Sequence, residues 1–453
     1  MPRTITVIGG GLAGSEAAYQ LAARGIGVRL IEMRPSAAAP AHHTGLLGEL
    51  VCSNSLKSDD PDTAAGMLKR ELEALGSVVL ACARSTAVAA GGALAVDRGA
   101  FAELLTHVIA NRPGIELVRA EAGELPPGEV ILATGPLTSA ALEPALADLA
   151  GADRLAFYDA AAPIVDAATI DRSICFAQSR YDKGGSADYL NCPMDRDEYE
   201  AFITALTGAA RVTAKEFESN DLFHACQPAE EIARRGADAL RFGAMKPVGL
   251  TDPRTGRRPW AVVQLRPENR EHTAYNLVGF QTNLTFPEQA RVFRMIPGLE
   301  GADFLRHGVM HRNTFIDAPR LLTPDLALRT DPRIRIAGQL SGTEGYLEAA
   351  ASGLVAALGA FASGRKSPGV VLPPETALGA LLAYATDPET RPYQPMHVNI
   401  GLLPALTSPV RGKRERYAAH AARAARAMSG WLADRSDLDV ERIRSAVGDE
   451  VSR

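Results

Sequence analysis

Short apolar runs that end in glycine, each followed at once by a helical pattern, set the rhythm of the first third of the chain. Ile5-Thr6-Val7-Ile8 has strand character, the glycines from Gly9 to Gly14 break it, and Ala17, Ala18, Leu21 and Ala22 predict a helix directly afterwards. Gly27-Val28-Arg29-Leu30-Ile31 predicts a second strand, which ends in Glu32. The pattern continues with a helix over Gly66–Leu75, strand-like Val78-Val79-Leu80, and a hairpin from Val88 to Val96 turning at Gly91-Gly92. A helix over Arg98–Ala110, a strand at Ile115–Val118 and an apolar strand at Glu129–Leu132 follow. From about Leu155 to about Pro319 short strands and turns replace this rhythm, as in Trp260–Leu265 and Tyr275–Gln281. It returns at Ile334-Arg335-Ile336, with a helix from about Leu347 to Phe361.

The glycines carry the first chemistry. Gly9, Gly11 and Gly14 fit G-x-G-x-x-G between a strand and a helix, with Gly10, Leu12 and Ala13 inside the motif. The first glycine permits a tight turn, the second lets the backbone approach a pyrophosphate, and the third lets helix and strand pack closely. The free N–H groups and dipole of the helix N-terminus then favour the anion. Glu32, about 20 residues on, is placed to hold an adenosine ribose. Ala133-Thr134-Gly135 closes a strand in the manner of two-dinucleotide-type flavin domains. The late segment with Gly338, Gln339, Gly342, Glu344, Gly345 and Tyr346 would cover the ribityl chain and part of the ring. The expectation is an α/β chain with a Rossmann-like FAD-binding domain of the glutathione-reductase type, split into residues 1–154 and 320–453 around an α+β insertion domain at 155–319. No second G-x-G-x-x-G occurs, so a nicotinamide reductant has no Rossmann domain of its own here.

Composition narrows the partners. The 453 residues are 46% hydrophobic and 22% charged, with a formal net charge of −5, so a nucleic acid must be met by local basic patches. A strand begins almost at the N-terminus, leaving no room for a targeting peptide, and no uninterrupted apolar run suggests a membrane span. Five cysteines with no C-x-x-C pair and no metal-ligand spacing fit a reduced, cytoplasmic compartment and no metal. Cys52 lies among Ser53, Asn54, Ser55 and Lys57, and Cys226 precedes Pro228, Glu230, Glu231, Arg234 and Arg235; nearby cations or turn N–H groups would favour thiolate at both. Cys82, Cys175 and Cys192 read as small buried hydrophobes. The long irregular stretch Arg34–Asp62, with His42 and His43, has the length of a functional loop. Arg411, Lys413, Arg414, Arg416, Arg423 and Arg426 share one Ala-rich helical segment, either a solvated face or a phosphate-binding patch.

Taken together, these stretches resemble one family. Gly9–Gly14, Leu50–Leu56, Tyr189–Met194, Cys226-Gln227-Pro228, Met245–Leu250, Asp252–Arg266, His311–Phe315, Gly338–Gly353 and Asn399–Pro404 follow, in order, the pattern of the bacterial folate- and FAD-dependent tRNA uracil-5-methyltransferases, TrmFO. The flavin half is also similar to the larger MnmG (GidA) proteins, whose C-terminal helical extension this chain has no room for. The resemblance implies that methylenetetrahydrofolate supplies one carbon, that FAD reduced by NADH or NADPH supplies electrons, and that a T-loop uridine of tRNA becomes 5-methyluridine. Cys52 and Cys226 match the two functional cysteines: one thiolate adds to uracil C6 and a second group removes the C5 proton, with the division of labour left open. Tyr346 would lie near the flavin ring, His311 would stack on the pterin, and Arg414 and Arg416 would touch tRNA phosphates. No membrane and no protein partner are implied. Phe223-His224-Ala225-Cys226 departs from the family, in which Glu and Gly are commoner at the two middle positions. The competing readings are a wobble-uridine modification protein of the MnmG kind and a non-catalytic flavin-stabilised tRNA-binding protein.

Overall fold

A computed structural model describes residues 3–37, 42–150, 154–160, 162–182, 188–212, 227–269, 271–308, 310–391 and 393–451, with the backbone alone at 154–160, 182 and 310–314. Its centre is a five-stranded parallel sheet. The strand order is Ile334–Ile336, Glu129–Leu132, Thr4–Ile8, Gly27–Glu32, Ile115–Arg119. Ile5, Val7 and Leu30 are fully buried, as the continuous apolar runs of a sheet covered on both faces require. The helix Leu12–Ala23 is buried at every position and packs along the helix Tyr346–Arg365. Their approach depends on Gly353, where a Cβ would stand 2.1 Å from the Ala13 carbonyl oxygen. Tyr346–Arg365 is long and apolar enough to cross a membrane, but here it is a core helix of the sheet's cover.

Val78-Val79-Leu80 corrects the sequence reading: it opens a helix, Val78–Ser85, rather than forming a strand. A short apolar run does not separate strand from buried helix, and here capping decides. Ser77 accepts from Leu80 N–H at 3.2 Å, and buried Glu16 accepts from Val79 N–H at 3.0 Å and from the Ser77 hydroxyl at 2.7 Å. The stretch after Arg34 also gains an anchor that periodicity missed. Ser55–Ser58 forms a strand against Ala93–Val96, which in turn pairs with Ala87–Val88.

Residues in the middle of the chain build a second core. A six-stranded antiparallel sheet runs Phe176–Ala177, Leu190–Met194, Ala261–Pro267, Ala274–Leu277, Ile164–Asp166, Phe304–Arg306. Phe202, Val263, Phe280 and Phe293 are fully buried against it. The chain enters this region along Arg154–Ala160 and leaves along Met310–Ile316, and those two strands pair antiparallel. The C-terminal helices Ala377–Thr386 and Lys413–Asp434 pack on Ala64–Leu75, and Val440–Val451 packs on Val78–Ser85. Buried Glu71 caps Ala377–Thr386 by accepting from the N–H groups of Ala377 and Leu378, at 2.7 and 2.8 Å. Burial pushes its carboxyl up to about 7.

Candidate functional site

The glycine loop has the geometry its spacing implies. Gly9 adopts φ +103°, and a Cβ there would lie 2.4 Å from the Ala133 carbonyl oxygen. At Gly14 a Cβ would come within 1.7 Å of the Gly9 carbonyl oxygen, whereas at Gly11 it would meet nothing within 4 Å. So Gly9 and Gly14 hold the turn tight, and Gly11 opens onto a cleft. Gly11, Leu12, Ala13, Glu32, Thr134 and Gly135 line that cleft from one side. Gly338, Gln339 and Tyr346 line it from the other, so the structure brings both halves of the motif set to one place. The remaining motif residues stand behind the wall. Gly10 donates to Glu32, Gly342 turns at φ +78° beneath Tyr393, Glu344 accepts from Gln339 at 2.5 Å, and Gly345 turns at φ +117° beside Glu348.

Glu32 is buried at the end of its strand. Its Oε2 accepts from Gly10 N–H at 2.7 Å, and its Oε1 accepts from Arg34 N–H at 3.0 Å and Arg34 Nε at 2.7 Å. Burial alone raises its pKa, but Arg34 and the backbone donors outweigh this and hold the carboxylate below its usual range. Arg34 reaches on to Glu49 at 3.1 Å, and Glu49 ties down His43 and Thr44. His42, also on the cleft wall, is pushed down to about 4 by burial and by Arg34, so its ring is neutral. Its Nδ1 is buried without a hydrogen-bond partner among the described residues. An open glycine cradle and an unpartnered ring nitrogen suit a dinucleotide cofactor with phosphate at the loop and hydroxyls nearby.

Cys52 stands at the edge of this cleft. Its N–H donates to the Tyr346 hydroxyl at 2.8 Å, Ser53 N–H donates to the same oxygen at 3.1 Å, and Cys52 Sγ lies 3.0 Å from it. Burial and the neighbouring thiol push the Tyr346 phenol well above its ordinary pKa. Arg98 donates to the Leu50 carbonyl at 2.7 Å and, through Nε and Nη2, to Glu268 at 3.0 and 2.6 Å. Arg306 donates to the Val51 carbonyl. Arg266 donates to Ser53 Oγ at 2.7 Å and Asn54 Oδ1 at 2.9 Å, while Asn54 donates to the carbonyls of Val96 and Pro267. The loop from Leu50 to Asn54 is therefore held from several directions, and Arg98 and Arg306 interact electrostatically with the thiol. One expectation changes here: Lys57, read as the ammonium beside Cys52, pairs with buried Glu348 at 2.6 Å.

The other expected residues divide. Cys226, with His224 and Ala225, lies outside the described residues. His311 is on the strand Met310–Ile316, in register with Asp159, and its side chain lies outside what is described. Arg414 and Arg416 are exposed in the first turns of Lys413–Asp434, apart from the cleft wall. Arg423 on the same helix instead holds the carbonyls of Ala405 and Pro404, at 2.8 and 2.6 Å. Cys82 is buried, with its thiol pushed up to about 12, and Cys175 and Cys192 face each other within the second core at 3.4 Å. Arg98, Arg266, Glu268 and Arg306 were missed from sequence. Each lies far along the chain from Cys52, and nothing local marks them.

The fold and cleft define a flavin-type dinucleotide-binding protein with a reactive-cysteine loop at the cleft's edge. Residues 4–367 match the family model described as glucose inhibited division protein A. Methylenetetrahydrofolate–tRNA-(uracil-5-)-methyltransferase TrmFO of Heliobacterium modesticaldum is 54% identical over 432 residues, covering 95% of this chain and 98% of that protein. The TrmFO of Geobacter sulfurreducens is 54% identical over 434 residues, covering 96% of this chain and all of that one (100%). The solved structure of Aquifex aeolicus GidA superposes with a TM-score of 0.68 at 17% identity, covering 99% of this chain and 76% of that chain, a likeness of fold. The chain belongs to the glucose inhibited division protein A family and, within it, to the TrmFO family.

Proposed function

We propose that the chain is a methylenetetrahydrofolate-dependent tRNA (uracil-5-)-methyltransferase, a flavoprotein that turns a T-loop uridine into 5-methyluridine. The observation that carries this reading is the placement of Cys52 against Tyr346 at the mouth of the dinucleotide cleft, in a chain 54% identical to proteins of that name. FAD, when bound and reduced by NADH or NADPH, supplies the electrons of the reaction. Gly9–Gly14 and Glu32 would hold its pyrophosphate and ribose end, with Thr134 and Gly135 beside them, and the segment from Gly338 to Tyr346 would cover its ring end.

The protein's own groups have two tasks. Uracil C5 becomes nucleophilic only after a thiolate adds to C6, and the C5 proton must then be taken by a base before the thiol is expelled. Cys52 and Cys226 are assigned to these tasks as a pair. Arg98 and Arg306 stabilise negative charge at Cys52, and Tyr346 fixes the loop through the two N–H groups it accepts. His311 is assigned to the pterin, and Arg414 and Arg416 to tRNA phosphate; their exposure on a basic helix end supports the latter. Two separate cores joined by one strand pair support residues 155–319 as an insertion between the parts 1–154 and 320–453. The enzyme acts in the cytoplasm and needs no protein partner.

The test supplies purified protein with T-loop-unmodified tRNA, NADH and methylenetetrahydrofolate labelled in its methylene carbon. Label recovered in 5-methyluridine after digestion supports the reading. A yellow, flavin-loaded protein that transfers no label refutes it and returns the choice to wobble-uridine modification or tRNA binding alone.

A further inference from the structure

Glu268 follows the strand Ala261–Pro267, and that end of the strand is stitched to the Cys52 loop: Asn54 donates to the Pro267 carbonyl at 2.9 Å. The Glu268 side chain is buried, with the residue 6% exposed, yet it is only half used. Arg98 sends both Nε and Nη2 to one oxygen, Oε2, and its Nη1 to the Leu50 carbonyl. A guanidinium fork commonly spreads over both carboxylate oxygens. Here Oε1 is buried with no partner among the described residues. Arg306, seated on the Val51 carbonyl, interacts with Glu268, Cys52 and Tyr346 alike, which places the carboxylate within the same charged cluster. A buried acceptor without a donor is costly in the resting chain, and a ligand that brings the donor removes the cost.

We infer that Oε1 of Glu268 accepts a ring N–H from a heterocycle bound beside Cys52, which makes Glu268 a specificity-determining residue. The inference rests on the methyltransferase reading. Both co-substrates bring the same chemistry, uracil through its imide N3–H and the pterin through its lactam N–H and adjoining amine. A carboxylate only accepts, so it takes such an N–H and repels cytosine, whose N3 is a lone pair. Arg98 is the positioning residue: it fixes the carboxylate and the Leu50 carbonyl in one grip.

Glu268→Gln keeps the shape and an oxygen for Arg98 but offers the ligand an N–H2 group in place of an acceptor. With FAD-loaded enzyme, the KM for tRNA and the KM for methylenetetrahydrofolate are measured separately, the other being saturating. One of the two rises roughly tenfold or more while the other stays within about twofold. A shift in the tRNA value identifies uracil as the donor, and a shift in the folate value identifies the pterin. Titration of the flavin absorbance with methylenetetrahydrofolate, or with a T-stem-loop RNA, reads the same selective loss without turnover. A parent enzyme that transfers no carbon but shows this loss therefore counts against the methyltransferase reading alone. Should Glu268→Gln fail to fold, Glu268→Asp keeps the charge on Arg98, withdraws the oxygen from the ligand and gives the same readout. The inference is overturned if neither ligand's binding changes beyond about twofold, or if both fall together, as loss of a merely structural ion pair would have it.

Discussion

The cleft and the cysteine loop touch at Tyr346 but are built from opposite materials. The cleft is made of backbone. Gly9, Gly11 and Gly14 do their work by lacking a side chain, within six consecutive positions. The Cys52 loop is made of side chains that arrive from far away, Tyr346 from 294 positions along the chain and Arg266 from 213 to Ser53. A cofactor cradle can be encoded locally because its requirements are conformational. A reactive thiol needs charge and donors at defined distances, and only tertiary packing supplies them.

The difference predicts which substitutions strike one region and spare the other. Gly14→Val drives a side chain into the Gly9 carbonyl, so it should cost more than about 3 kcal/mol and abolish flavin loading, read by absorbance and thermal unfolding. Retained flavin would break the comparison at its strong end. Arg98→Ala leaves the Glu268 carboxylate buried without its cation. A loss of about 3 kcal/mol is expected, with methylation falling further than flavin content, measured on the same preparation. Tyr346→Phe removes the acceptor of the Cys52 and Ser53 N–H groups and should cost about 1–3 kcal/mol, again with flavin bound and methylation reduced.

Glu71 lies outside both regions and sharpens the contrast. Its folded pKa, raised by burial from 4.5 to about 7, means the folded chain holds the proton more tightly than the unfolded one. Its contribution is therefore complete below about pH 4.5 and is lost as pH rises towards 7. Glu71→Gln should flatten the stability–pH curve in that window by at most about 1.4 kcal/mol per pH unit, leaving flavin spectrum and thiol chemistry alone. The smallest effects on folding are expected from Arg414→Ala and Arg416→Ala, which are exposed. Each should lower the salt dependence of tRNA binding by about one phosphate contact without moving the unfolding temperature.

Most of the fold was legible. The parallel strands are continuous apolar runs, and the break in rhythm near Leu155 marks where the antiparallel region begins. Val78–Leu80 was misread because its helix is set by Glu16, a buried carboxylate 62 positions from Val78. At the site, Cys52 and Tyr346 could be singled out from their neighbours in sequence, but their contact with each other could not. Lys57 looked like the cation beside the thiol because it is near in sequence, yet Glu348 claims it. Arg98 and Arg306, the cations that do interact with Cys52, stand at a helix start and a strand end, where arginine is unremarked.

The central claim is that Cys52, held by this clamp, does covalent chemistry on a base while the cleft independently keeps the flavin. Cys52→Ala tests it most directly, with flavin content, tRNA affinity and transfer of labelled methylene carbon measured side by side. The account predicts a yellow protein that binds tRNA as the parent does and puts no label into 5-methyluridine. Label transfer at the parental rate would contradict it.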